Sequence, residues 1–407
     1  MNPGTHQPLK RSTVLLMAGG CGLAVANNYY HQPLLPQMAD GVHAPQAWAG
    51  YLSALNQAGF GLGLLLFVPL GDLFERRRLV VISLGAAAVM LVVAAVAPNF
   101  LVLAAAIFVL GLVGIAVQLL IPFAAHLAPP EDRGRVVGTA RGGMLAGVLL
   151  SRTVSGVVGR SLGWRAMYGI AAAATVGMLL TLWAALPRSR PSARLSYPAL
   201  LRSMVGLVRE EPVLRQSCVF GAATFGAFSA FWATLAFHLA GPPCGYGSEV
   251  AGLFGLVGVV GVAAAPLVGR AGDRGSLRRT VGLGVAVTAL SFVLFGLGRH
   301  VLWVLVVGVV LLDLGVQVVH VANQTRNYAL RPDARSRLNT VYMVAYFVGG
   351  MVGSSLGATG WAAAGWAGVC TVGLLLPTLA FGAFLLSGIT PTRRSASPTV
   401  AEHLGEE

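Results

Sequence analysis

GDLFERRRLVVISLGAAAVMLVVAAVA, residues 71–97, is a knot of charges followed without a break by nineteen residues that carry none. A helix rises about 1.5 Å per residue, so about 20 apolar residues cross the roughly 30 Å hydrocarbon layer of a bilayer, and this run meets that length. A membrane strand would alternate lipid-facing with inward residues, whereas here no polar alternation occurs, which argues against a β-barrel. Outward from this stretch the pattern recurs about every 30 residues from Thr13 to Ile389. Twelve spans are predicted, near 13–38, 47–70, 79–97, 100–126, 136–159, 164–186, 213–240, 249–269, 280–298, 301–325, 338–360 and 365–388.

Composition agrees: 56% of the 407 residues are apolar and 10% are charged, against roughly 25% charged in a soluble domain. A water-soluble monomer is excluded. The net charge of +14 would otherwise point to nucleic acid, but the arginines fall in short clusters between spans and form no contiguous patch. Their distribution sets orientation instead. Of 28 basic residues, 24 fall on one side of the twelve-span trace; Arg160, Arg165 and Arg299 fall on the other, and Arg152 lies within span 5. By the positive-inside rule the rich side is cytoplasmic, with both termini there. Lys10, Arg11, the apolar run to Leu23 and Ala24-Val25-Ala26 also imitate a cleaved secretory signal, but removing span 1 would put the remaining arginine clusters out of register. The four cysteines are far apart with no C-x-x-C spacing, so neither a disulfide framework nor a metal site is implied.

The longest polar stretch, 187–212, is rich in Pro, Ser and Arg and reads as a cytoplasmic central loop between an N-terminal six-helix bundle (1–186) and a C-terminal one (213–389), with a cytoplasmic tail at 390–407. A weak repeat supports the division. GDLFERRR (71–78) is echoed by GRAGDRGSLRR (269–279), and APPEDRGR (128–135) by LRPDARSR (330–337), at offsets of 198 and 202 residues. Duplicated bundles of this kind are a common transporter architecture.

The twelve-span plan, the central loop and the G-x-x-x-[DE]-R loops after spans 2 and 8 resemble the major facilitator superfamily over nearly the whole chain. NNYYHQPLLP (27–36), RTVSG (152–156) with GWRAMY (163–168), and LLDLGVQ (311–317) resemble the drug:proton antiporter and arabinose-efflux permease branch. The sequence departs from that branch at Glu75, where Asp is usual, and at Arg78, where a second Gly is usual. Ile107 stands where span 4 often has a basic residue, and the Gly-Pro signature of span 5 is absent. The resemblance implies an all-α fold of two pseudo-symmetric bundles. It also implies a gate in which Gly71, Glu75 and Arg76, with Gly269, Asp273 and Arg274, meet helix ends and arginines of neighbouring spans; a plain topology-setting loop is the alternative.

A charge at mid-membrane costs at least about 2.5–3.5 kcal/mol unless it faces a cavity or partner. Asp313, near the middle of span 10, can hold and release a proton, whereas Arg152 can only be an anion anchor or a fixed counter-charge. The two are also readable as a structural pair. Gln317, His320 and Gln324 follow Asp313 at i+4, i+7 and i+11 on one helix face, and His320 is either a proton relay or a hydrogen-bonded donor. In span 1, Asn27, Tyr30, His31 and Gln32 precede Pro33 and Pro36, which break a helix near its outer end. Asn27, Gln57 and Gln118 either face the cavity or bond neighbouring helices. Phe228, Phe231, Trp232 and Leu235 in span 7, with Tyr342 and Tyr346 in span 11, suit a flat apolar substrate or are packing. Glycines at 349, 353 and 357, and at 143 and 147, predict smooth faces for sliding between the halves.

No nucleophile elbow, HExxH or phosphate-binding loop occurs, and Lys10 is the only lysine, so neither an enzyme nor an ATP-driven pump is expected, and no cofactor. The expected protein is a monomer in a bacterial inner membrane that exchanges protons for a small amphipathic, drug-like or sugar-like compound. Uncoupled or proton-symport uptake of a metabolite is the rival, and a non-transporting membrane sensor a remote one.

Overall fold

The computed structural model describes residues 10–188, 197–242, 244–259, 277–331 and 334–386, which form helices joined by short turns, with no strand among them. Eight helical stretches are long and apolar enough to cross a membrane, among them Arg76–Ala95, Arg133–Leu162, Pro212–Ala240 and Leu302–Tyr328. Spans 11 and 12 form one run, Arg335–Leu386, bent at Ala364 and Gly365, where Gly365 adopts a φ of 57° that a side chain would strain. Span 2 is the helix Gln46–Phe67, less apolar because it carries Ser53, Asn56 and Gln57 on its buried side. Span 8 is described in its first part, Ser248–Val257.

The central segment holds a helix that the polar composition did not predict. Tyr197–Glu210 buries Leu200, Met204 and Leu207 on one face. Its first residue donates the Tyr197 hydroxyl to the Leu66 carbonyl at the end of span 2, 2.9 Å away. At the other end Arg331 pairs with both Glu210 and Glu211 at 2.8 Å, and these hydrogen bonds push its guanidinium above its ordinary pKa. The helix is thus tied to both halves of the chain.

Glycine sets the closest helix contacts, and it does so twice in the same way. A Cβ on Gly143 or Gly147 of span 5 would strike the carbonyl oxygen of Ala18 or Gly22 in span 1. A Cβ on Gly349 or Gly353 of span 11 would strike that of Ala222 or Gly226 in span 7. These glycine columns, expected at the face where the halves slide, lie instead inside each half. Their repetition at offsets of 204 and 206 residues matches the repeat of the loops.

Among the described residues the most extensive contacts between the halves are made by two helix pairs, span 2 with span 11 and span 5 with span 8. At the end away from the arginine clusters both seams are closely packed among the described residues, which cover span 8 only to residue 259. In the first, a Cβ on Gly50 would lie 2.8 Å from that of Ala358, Tyr51 and Thr359 share a 2.9 Å hydrogen bond, and the Phe60 and Phe347 rings sit 4.4 Å apart. In the second, Ser248 donates to the Gly156 carbonyl at 2.9 Å, Thr153 donates to the Gly252 carbonyl at 3.1 Å, and Arg160 stands 3.9 Å from Glu249.

Candidate functional site

Span 1 is where the local sequence departs furthest from a regular helix. The helix Arg11–Ala26 ends before the prolines, and the chain continues through turns into Gln32–Leu34 and Leu35–Gly41. The break expected at Pro33 begins at Asn27. There the Asn28 and Tyr29 amides bond three residues back, to Val25 and Ala26, and the Asn28 side chain returns to the Ala24 carbonyl. Asparagine side chains compete in this way with the helix ladder. Span 7 breaks at the equivalent position, between Pro212–Trp232 and Leu235–Ala240.

The two breaks face Arg152, which is 3% exposed. Its Nε donates to Gln32 Oε1 at 2.6 Å. The guanidinium carbon lies 4.0 Å from the centre of the Trp232 ring, 4.9 Å from that of Tyr29 and 5.9 Å from that of Phe228, so rings from both halves surround one cation. Such contacts are worth about 2 kcal/mol when desolvated. Asp313 is within electrostatic reach of Arg152, but no ion pair within 4.0 Å joins them, which corrects the reading of the two as a directly bonded pair.

Span 8 holds both charges at a set separation. A Cβ on Gly255 would lie 2.8 Å from Cβ of Arg152, and one on Gly258 3.0 Å from Oδ2 of Asp313. Gly252, Gly255 and Gly258 follow at three-residue spacing, so the Cβ of Arg152 and the carboxylate of Asp313 meet that helix about 4.5 Å apart along its axis. Among the buried polar atoms without a hydrogen-bond partner among the described residues are Arg152 Nη2, Trp232 Nε1 and Asp313 Oδ2; His31 Nδ1, on a side chain within electrostatic reach of Arg152, is another. A buried polar atom without a partner costs about 1–3 kcal/mol.

Other predicted residues distribute around this cluster. Tyr346 stacks on Phe225 at 3.9 Å and on its other side approaches His320, whose Nδ1 is 3.2 Å from the Tyr342 hydroxyl. Gln317 is half-buried one turn from Asp313, and Gln324 bonds Asn339. Asn27 donates to the Thr175 hydroxyl at 3.1 Å, tying span 1 to span 6, and Tyr30 packs in the apolar core of the N-terminal half. Gln57 is buried and Gln118 half-buried, and no hydrogen bond joins either to Arg152. Phe231 is fully buried against Phe295 and Trp366, so this member of the aromatic stripe is packing. In the first gating loop, Arg76 donates to the Gly71 carbonyl at 3.1 Å and reaches the Pro122 carbonyl of span 4 at 3.5 Å; Glu75 immediately precedes the helix of span 3. Gly269, Asp273 and Arg274 lie outside the described residues.

Sequence reasoning passed over Tyr29 as a site residue and weighed Gln32 only as the last member of the polar group of span 1, without its partner Arg152. It also passed over the G-x-x-G-x-x-G run of span 8. The surface groove of about 400 Å³ between Trp48, Tyr51, Phe100 and Met351 is a separate feature, lined by no charged side chain.

The Major Facilitator Superfamily model matches residues 17–274. An uncharacterized transporter of Escherichia coli O157:H7, YgaY, is 40% identical over 92% of this chain and 94% of its own. A chloramphenicol efflux pump of Mycobacterium tuberculosis is 28% identical over 70% of each chain. Among solved structures, that of the nucleoside transporter NupG is similar in fold, with a TM-score of 0.73 at 14% identity over 92% of this chain and 98% of that one.

Proposed function

The chain belongs to the Major Facilitator Superfamily, a family of multi-pass membrane transporters and not of enzymes, and we propose that it exports a small amphipathic compound across a bacterial inner membrane in exchange for protons. The observation that carries this reading is Asp313: a carboxylate in the middle of a spanning helix, beside the seam between the halves, with an enclosed oxygen that no described group satisfies. Such a carboxylate holds either a proton or a donor group of the substrate. Because the two exclude each other, the site returns across the membrane loaded with one or the other, which is the requirement for exchange. Arg152 from span 5 and Tyr346 from span 11 are within electrostatic reach of it, Tyr29 and His31 from span 1 are within reach of Arg152, and His320 lies two turns further along span 10. One proton moving down about 100 mV releases roughly 2.3 kcal/mol, enough for more than a tenfold gradient.

With the arginine-rich end cytoplasmic, the close contacts of both seams lie at the outer end, which supports reading this state as closed to the outside. Opening would part spans 2 and 11 and spans 5 and 8, while the loops of Gly71, Glu75 and Arg76 and of Gly269, Asp273 and Arg274 close the inner end. Export is favoured by the likeness to a relative described as a chloramphenicol efflux pump. The protein acts as a monomer. Uptake without coupling, or by proton symport, is the second reading, favoured by Ile107 where the antiporter branch carries a basic residue.

Everted vesicles decide between them. Accumulation of a compound from a drug and metabolite panel should collapse with a protonophore and be lost in Asp313→Asn, while exchange down a substrate gradient survives in that variant. Accumulation indifferent to the protonophore would select the second reading.

A further inference from the structure

The partnerless atoms of the central cluster are not scattered. Arg152 Nη2 and Trp232 Nε1, both donors, belong to side chains in contact, with the guanidinium carbon 4.0 Å from the centre of the indole ring. The acceptor, Asp313 Oδ2, lies against Gly258 of span 8, three residues on from Gly255, which packs on Cβ of Arg152. No ion pair within 4.0 Å joins Arg152 to Asp313, so these donors and this anionic acceptor do not satisfy each other. Gln32 already takes the Arg152 Nε, so the guanidinium is held with its Nη2 edge left over.

We infer that the substrate is a zwitterion with a flat ring: a carboxylate received by Arg152 Nη2 and Trp232 Nε1, an ammonium received by Asp313 Oδ2, and a ring lying against Phe228 and Tyr29. A simple cation would satisfy Asp313 and leave both donors buried and unpaired. A simple anion would satisfy the donors and face the Asp313 carboxylate. A site built to bond a polar group rejects analogues that lack it, because its own groups stay unpaired. The ammonium needs Asp313 ionised, so a proton on Asp313 expels it, and the same contact that selects the substrate couples it to the proton. This inference rests on the reading of the cluster as the transport site.

The test uses the purified full-length protein in detergent and three matched probes: L-phenylalanine, phenethylamine and 3-phenylpropionate. Kd values are taken from the ligand-induced shift in thermal unfolding. L-Phenylalanine should bind at least about tenfold more tightly than either singly charged probe. Trp232→Phe keeps a ring and removes the N–H, and should narrow the gap between L-phenylalanine and phenethylamine. Asp313→Asn should narrow the gap to 3-phenylpropionate. Equal binding of phenethylamine and L-phenylalanine, or no binding of any probe, overturns the inference. If protonophore-sensitive, Asp313-dependent accumulation of another compound persists in that case, the exchange reading stands without it. If the binding order and its dependence on Asp313 and Trp232 hold but accumulation ignores the protonophore, the exchange reading falls and the zwitterion site stands.

Discussion

The two seams that join the halves are counterparts under the internal repeat, span 5 with span 8 matching span 11 with span 2, yet they are made of different material. Spans 2 and 11 meet through rings and small side chains: Phe60 on Phe347, Gly50 on Ala358, with Tyr51 and Thr359 bonded at the outer edge. Spans 5 and 8 meet backbone to backbone across Gly156, Gly252 and Gly255, stitched by Ser248 and Thr153 to carbonyl oxygens, and carry Arg152 and Asp313 beside them. The lesson is that duplication preserves the path of the helices and leaves the chemistry free. An apolar seam yields to small changes by shifting a side chain. A backbone seam has nothing to shift, and a charged one registers every partner lost.

The largest effect expected from this contrast is at Gly252. Its Cβ would lie 2.5 Å from the Arg152 carbonyl oxygen and 3.2 Å from Cα of Gly156, so Gly252→Leu cannot be accommodated without parting spans 5 and 8. Overpacking of this kind costs about 1–3 kcal/mol or more, so transport should fall by about 10- to 100-fold while the protein still inserts. A cysteine placed at Ser248 should become more accessible to a membrane-impermeant thiol reagent in that background. Unchanged transport and labelling would break the idea of a rigid backbone seam.

Next in size is the loss of the buried hydrogen bond that the Arg152 side chain makes to Gln32. Gln32→Leu leaves the Nε of a cation unpaired in an apolar setting, and a hydrogen bond to a charged group is worth about 1.5–3 kcal/mol. The expected outcome is a lower midpoint in thermal unfolding of the purified protein. A double-mutant cycle with Arg152→Leu should give a coupling of that order, and a larger one than Arg152→Leu gives with Asp313→Asn, since the two charges do not touch. The reverse ranking would restore Asp313 as the structural partner of Arg152.

Much of this was legible in the sequence, and the remainder was not for definable reasons. Long apolar runs reveal membrane helices because a bilayer demands unbroken backbone bonding over about 20 residues. Charges inside such runs, Arg152 and Asp313, stand out because they are costly there. Which polar group meets which is a matter of helix rotation, and one sequence carries no register between spans. Gln32 was visible only as one polar residue among several in 27–32, and its pairing with Arg152 depends on where span 1 stops being a helix. That point was placed at Pro33, whereas the asparagine turn at 27 comes first. The glycine columns were read correctly as close contacts but assigned to the wrong neighbours, because a smooth face does not say what it faces. The helix Tyr197–Glu210 escaped notice because its apolar positions are diluted by arginines.

A smaller effect is expected in the apolar seam. Phe347→Leu removes the ring that Phe60 and Phe225 pack against. An aromatic pair is worth about 0.5–1.5 kcal/mol beyond its area, and the leucine keeps most of the contact, so transport should fall by no more than about tenfold. A complete loss would mean that this seam carries a role beyond packing.

The smallest effect tests the comparison most directly, because it makes the same kind of change as the largest one. Gly61 lies on span 2 against span 11, and a Cβ there would sit 3.4 Å from Cβ of Phe347, an ordinary van der Waals contact, with the Val344 carbonyl oxygen 4.0 Å away. The nearest atom belongs to a side chain and no backbone atom is closer than 4.0 Å. Alanine also suits a helix interior better than glycine by about 1 kcal/mol. Gly61→Ala should therefore transport within about twofold of the parent, since 0.4 kcal/mol is all that a twofold change represents, and should unfold at the same temperature or slightly above it. At Gly252 the same alanine would meet a backbone oxygen at 2.5 Å and is expected to impair transport clearly. If instead Gly61→Ala abolishes transport, both seams are equally intolerant of added volume, the chemical difference between them has no mechanical consequence, and the contrast drawn from Arg152 and Asp313 would have to rest on charge alone.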